Sequence, residues 1–334
     1  MAQHFLLSPR AKTLTLASVM RLSNEEAETL FAKVRWPDTD GEPVCPFCGG
    51  LVHYTIRRAR GPMRWRCKAC DKEFSISSGT LFAAHKMPLQ TYLAAIAIAM
   101  NEVKGKNALA MSRDLGTSYK TAFVLCHKIR EALGSEMKGA RLGGEGEIVE
   151  IDGMYTGGSI RPANLKENRI DRRLARNQTG KRKVVVIARE REGRIVSSVF
   201  KSEAESTGWL VSRVAKGSRL MADEASSWNP LHAHYEVSRI DHGQAYAVGD
   251  VNTNGAESFF SRLRRGERGH FHNISGPYLA SYARESAWRE DNRRVSNGDQ
   301  TQHAAKLAMT SGPSPDFCGY WQRHKAPQKA EAGD

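Results

Sequence analysis

Four of the six cysteines fall in two Cys-x-x-Cys pairs, Cys45/Cys48 and Cys67/Cys70, with eighteen residues between the pairs. Zinc takes four ligands in a tetrahedron, and two such turns on separate knuckles bring four thiolates to one point with little strain. With every position filled by sulfur there is no place for a catalytic water, so the expected Zn²⁺ serves folding and contact with DNA or a partner. Cys126 and Cys318 have no partner by spacing and read as plain thiols. Three acids form a second candidate set. Asp152 closes one β-rich run, Asp223 ends another, and Glu257 stands in the first turn of a helical stretch that begins near Asn254. Carboxylates from separate elements can hold two Mg²⁺ (or Mn²⁺) roughly 4 Å apart. One ion then activates the attacking oxygen of a phosphodiester reaction and the other stabilises the leaving oxygen. Each acid also has a structural explanation: Asp152-Gly153 as a hairpin turn, Asp223 as a cap, and Glu257 at the capping-box position after Asn254.

These residues need elements to position them. Residues 24–36 read as a short helix that stops at Pro37, within an N-terminal helical lead-in over 1–40. The cysteine knuckles define a zinc ribbon over 41–80. The stretch joining them is strand-like and carries Arg57, Arg58, Arg60, Arg64, Trp65, Arg66 and Lys68, a mix of charge and aromatic rings suited to phosphates or to a solvated face. Apolar periodicity predicts three helices over 86–135, with Asp114 to Ser118 as the turn of a helix-turn-helix whose second helix carries Tyr119, Lys120, His127, Lys128 and Arg130. A glycine-rich linker follows at 139–146. The runs 147–152, 183–189 and 194–200 read as strands, 206–215 as a helix and 219–222 as a short strand, so an α/β domain is expected over 145–295. The tail 296–334, rich in Gly, Pro, Ser, Gln and Lys, reads as loosely ordered or as a C-terminal appendage.

The net charge of +14 favours encounter with a polyanion and disfavours acidic small-molecule substrates. The longest apolar stretch, Leu93 to Met100, is far too short to span a membrane, and the N-terminus lacks an export leader. A cytoplasmic protein is therefore expected, on the nucleoid when bound to DNA, in a compartment where paired cysteines hold metal rather than disulfides.

The zinc knuckles, the helix-turn-helix, and then Val149-Glu150-Ile151-Asp152-Gly153, Met221-Ala222-Asp223-Glu224 and the run from Gly249 to Gly266 resemble the transposases of insertion sequence family 1595. Trp288-Arg289-Glu290-Asp291-Asn292-Arg293-Arg294 extends the resemblance, which covers Ser23 to Arg294. It implies an RNase H-like catalytic core of the DDE type, with two divalent ions and no covalent enzyme intermediate. Asp152 and Asp223 are then the strand aspartates and Glu257 the helical acid. The family places a basic residue seven positions after that acid, here Arg264. Seven residues are two helical turns, so Arg264 shares a face with Glu257 and can hold a DNA phosphate, with Arg265 beside it. On this reading Lys120, Lys128, Arg64 and Arg66 also touch DNA. The partners are the element's terminal inverted repeats and target DNA, and joining two ends implies a homodimer or larger synaptic assembly. The insert from Arg161 to Lys183 departs from the family pattern; its nine basic residues against two acidic suit a DNA clamp or a solvated loop. Two other readings stay open: a non-catalytic zinc-ribbon regulator, and a nuclease of the same core without strand transfer.

Overall fold

The computed structural model describes residues 4–57, 63–83, 87–156, 163–170, 182–271, 274 and 276–318. The chain divides into two compact units, one of residues 1–102, 106–135 and 295–334, the other of 103–105 and 136–294.

In the first unit, α1 (Leu16–Met20) and α2 (Asn24–Arg35) precede a three-stranded antiparallel sheet, β1 (His53–Ile56), β2 (Arg64–Cys67) and β3 (Glu73–Ser75). Helix α2 starts where it does because Ser23 and Glu26 cap each other: Glu26 N–H donates to Ser23 Oγ at 3.1 Å and Ser23 N–H to Glu26 Oε2 at 2.7 Å. The apolar run is α3 (Leu89–Asn101), buried from Tyr92 to Met100, as a helix apolar on all sides must be. Helices α4 (Ala108–Asp114) and α5 (Tyr119–Ser135) are joined by a tight turn in which Gly116 has φ +62° and Ser118 Oγ accepts from Thr121 N–H at 3.2 Å. Residues 297–310 correct the expectation of a loosely ordered tail, whose positions 319–334 lie outside the described residues. They form α9 (Asn297–Thr310), capped by Ser296 and packed on α2, α3 and α5 through Thr301, Ala304, Ala305, Ala308 and Met309. Its buried stripe is mostly alanine, which carries little hydropathy contrast.

The second unit is built on a five-stranded mixed sheet in the order β6-β5-β4-β7-β8. Strands β4 (Ile148–Thr156), β5 (Lys183–Glu190) and β6 (Ile195–Phe200) run antiparallel; β7 (Arg219–Asp223) and β8 (Glu236–Ile240) are parallel to β4. One face carries Val149, Ile151, Val184, Val186, Leu220 and Ala222, packed on Leu210 of α6 (Thr207–Arg213) and on Trp228 and Leu231 of a 3₁₀ segment, Ser226–Ala233. Helices α7 (Asn254–Gly266) and α8 (Leu279–Asp291) cover the other face. Strand β4 runs four residues past Asp152, because β5 pairs with it from Val149 through Thr156, so Asp152-Gly153 is mid-strand and not a hairpin turn. Among the described residues, no helix is long and apolar enough to cross a membrane.

Candidate catalytic site and zinc centre

The four cysteine sulfurs of the first unit lie within 4.8 Å of one another, with Cys45–Cys70 and Cys48–Cys67 each at 3.6 Å. A tetrahedron with zinc–sulfur bonds of about 2.3 Å has edges of about 3.8 Å, so the quartet has the size Zn²⁺ requires. In the first knuckle Gly49 N–H donates to Cys45 O at 2.9 Å with φ +72°. A side chain on Gly50 would come within 3.0 Å of Cys67 Sγ, so glycine is what lets the sulfurs converge. The second knuckle uses Asp71 at φ +61°, whose N–H donates to Cys67 O at 2.9 Å. The backbone N–H groups of Cys70 and then Ala69 push the Cys67 thiol down to about 7, which favours the thiolate a metal needs.

In the second unit, sheet register brings two of the three acids together. The β4–β7 pairing ends with Glu150 opposite Met221, so Asp152 and Asp223 stand level, two residues further along neighbouring strands about 4.8 Å apart. Because Val149 and Ile151 face the core, Glu150 and Asp152 point to the side that α7 covers, whereas Asp223 ends its strand and its carboxylate meets Trp228 and Ala225. The third acid arrives by a separate device. Glu150 Oε2 accepts the N–H of Ala256 at 2.9 Å, and Arg189 Nη1 donates to Gly255 O at 2.7 Å, which pins the first turn of α7 to the sheet. Gly255 permits this approach, since a Cβ there would lie 2.6 Å from Glu150 Oε2. Glu257 follows directly. It is not a capping-box residue, because the N-cap is Thr253 and no side chain closes that cap.

The electrostatics agree with this convergence. Burial first, and then the charges of Asp223, Glu257 and Glu203, push the Asp152 carboxyl up to about 7, against a 2.7 Å hydrogen bond from Gly153 N–H. Glu203 is raised in turn by burial and by Asp223, against a bond from Ser227. Every charge named here as acting on Asp152 is negative, the environment a divalent cation would relieve. Asp223 Oδ1 accepts from Trp228 Nε1 at 2.6 Å and Ala225 N–H at 3.2 Å, so it shapes the turn after β7, but it does not cap the 3₁₀ segment that follows, whose N-cap is Ala225. Glu257 Oε1 lies 3.2 Å from His242 Nε2, which is 3.0 Å from Thr253 Oγ1. Among the described residues the cysteine quartet forms a group of side chains close enough to hold a metal ion as placed, and the three acids do not.

The basic residues expected to touch DNA are distributed unevenly. Arg264 and Arg265 are exposed at the end of α7, and Lys120 is exposed at the start of α5. Arg64 is half-buried with Nε 3.7 Å from Glu73, and Arg66 is held by both oxygens of Asp71. Lys128 is a correction: it is buried, with Nζ 3.4 Å from Cys318 Sγ, because the C-terminal half of α5 packs into its own unit. Its charge does not face a nucleic acid in this fold. Arg58 and Arg60, and positions 161–162 and 171–181 of the basic insert, lie outside the described residues. Sequence reasoning missed Glu150, Glu203, Trp228 and His242. Only Glu150 had a readable signal, two residues before Asp152 and therefore on the same strand face.

Residues 141–291 match the family model described as ISXO2-like transposase domain, and residues 22–73 match that described as transposase zinc-ribbon domain. The chain is 25% identical over 276 residues to an uncharacterized protein in transposable element ISH50 of Halobacterium salinarum, covering 78% of this chain and 90% of that protein. The zinc-ribbon match contains all four clustered cysteines, and the transposase-domain match contains Asp152, Asp223 and Glu257. With both domains in the order the sequence presents them, the chain belongs to the transposases of insertion sequence family 1595.

Proposed function

We propose that this transposase cuts DNA at the ends of its insertion sequence and joins the freed ends to target DNA, using Asp152, Asp223 and Glu257 as a DDE site in an RNase H-like core. The observation that carries the reading is the level placement of Asp152 and Asp223 on adjacent strands, with Glu257 brought in on a helix pinned by Glu150. Two Mg²⁺ (or Mn²⁺), held by Asp152, Asp223 and Glu257, would supply the positive charge that activates an attacking oxygen and stabilises a leaving one. Trp228 holds the Asp223 carboxylate in one orientation. Arg264, two turns beyond Glu257, steadies a phosphate near the acids. Water is the nucleophile for strand cleavage, and the 3′-hydroxyl it releases attacks the target strand, with no covalent enzyme intermediate.

The zinc ribbon and the α4–α5 helix-turn-helix recognise the terminal inverted repeats, with Lys120 at the exposed start of α5 on the DNA side. Two ends are held by a homodimer or larger assembly. The test is incubation of the protein and Mg²⁺ with duplex DNA carrying the inverted repeats that flank its coding region. Nicked and then joined products are expected, and cleavage falls to background in Asp152→Asn and Asp223→Asn. Full cleavage by either variant refutes the mechanism; nicking without joined products reduces the enzyme to a nuclease.

A further inference from the structure

Behind the acid-bearing turn of α7, three arginines converge on one oxygen. Glu290 Oε1, on α8, accepts from Arg262 Nη2 at 2.8 Å and lies 2.9 Å from Arg293 Nη1 and 3.5 Å from Arg189 Nη2. The Glu290 side chain is 7% exposed and that of Arg189 10%, whereas Arg262 and Arg293 are 42% and 49% exposed. One buried carboxylate therefore organises two guanidiniums at the surface and one beneath them. A single negative charge cannot balance three positive ones, and Arg262 also feels the like charge of Arg265. Arg191 shows the contrasting case: its Nε faces Glu150 at 3.3 Å and its two Nη atoms donate to Asp250 O and Asn252 O, so its fork is consumed within the fold. Arg262 and Arg293 each give one nitrogen to Glu290 and remain nearly half open to solvent. Guanidinium forks held in place with surplus charge match the geometry of a phosphate.

We propose that Arg262 and Arg293, gathered with Arg189 on Glu290, form a binding site for a backbone phosphate of DNA. The proposal rests on the transposase reading and adds a contact to it. Arg262 lies five residues beyond Glu257, about 140° around α7 and about 7.5 Å along it. The phosphate it takes is therefore not the one being cut but one that flanks it, which orients the strand relative to the acids. This role differs from that of Arg264, which shares the Glu257 face.

The experiment measures binding of the full chain to a mixed-sequence duplex by fluorescence anisotropy across a KCl series without divalent ions. Each phosphate contact contributes about 0.9 to the slope of log affinity against log salt. The double variant Arg262→Gln/Arg293→Gln keeps an N–H donor for Glu290 at both positions and removes the charge. It should bind more weakly, with a slope smaller in magnitude by about 0.9 or more. Arg262→Lys/Arg293→Lys should restore the slope. A glutamine variant that melts like the parent and keeps the parental slope overturns the proposal, and so does a lysine variant that behaves like the glutamine one. If the slope is parental while Mg²⁺-dependent cleavage persists, only this site is wrong. If the parent neither binds DNA in a salt-dependent way nor cleaves it, the transposase reading fails as well.

Discussion

Asp152→Asn should stabilise the metal-free protein while abolishing cleavage, and the pH dependence of that gain identifies its cause. The Asp152 carboxyl ionises near 3.8 in the unfolded chain and at about 7 in the fold, so the native state holds its proton longer. Stability is therefore lost as pH rises from about 4 to about 7 and is flat above, for a total of up to about 4 kcal/mol. Asparagine keeps the acceptor for Gly153 N–H and cannot ionise; the partner its amide group needs offsets part of the gain equally at every pH. The stability difference between variant and wild type should widen by about 2–3 kcal/mol from pH 5 to pH 8. Native-state hydrogen exchange of β4 and β5 amides, in Mg²⁺-free buffer with zinc retained, reports the free energy of this sheet. Adding Mg²⁺ should restore wild type and leave the variant unmoved. A constant difference between pH 5 and pH 8, or a variant less stable at pH 8, would refute the claim that uncompensated negative charge collects at Asp152.

Removing the Trp228 N–H with Trp228→Phe should raise the Mg²⁺ concentration for half-maximal cleavage by about 10–100-fold, because Asp223 loses the bond that orients it; an unchanged Mg²⁺ titration would contradict that role. Glu150→Gln should destabilise the second unit by about 3 kcal/mol, read by hydrogen exchange in α7, since Arg191 loses a buried partner. Cys67→Ser should bind no zinc and lose exchange protection in β1, β2 and β3, with β4 to β8 protected as before, because the metal binding energy is folding energy for the ribbon. Lys128→Met should leave stability equal or higher and the salt dependence of DNA binding unchanged, whereas Lys120→Ala should reduce the salt slope by about 0.9.

The parts of this protein legible in its amino acids were those encoded by near neighbours. Two Cys-x-x-Cys turns specify a tetrahedral sulfur site wherever they fold, and the runs at 183–189 and 194–200 announced β5 and β6 through β-branched residues and an intervening turn. The run 24–36 with its stop at Pro37 marked α2. Three helices between Pro88 and Gly134 followed from apolar spacing. Strand β8, helix α8 and helix α9 were not legible. Strand β8 is an edge strand with little alternation, α8 buries Glu285 and Glu290 against arginines, and α9 buries alanines.

The acids were visible as residue types, yet the placement of Asp152 beside Asp223 depends on the β4–β7 register, and that of Glu257 on a hydrogen bond from Ala256 to Glu150, between residues more than a hundred positions apart. Lys128 and Lys120 look alike on paper. Burial separates them: Lys128 lies on the packed part of α5 with Cys318, 190 residues away, against its Nζ. Spacing and periodicity are local properties that a chain carries unfolded; register, burial and the pairing of charges exist only once distant segments share a core.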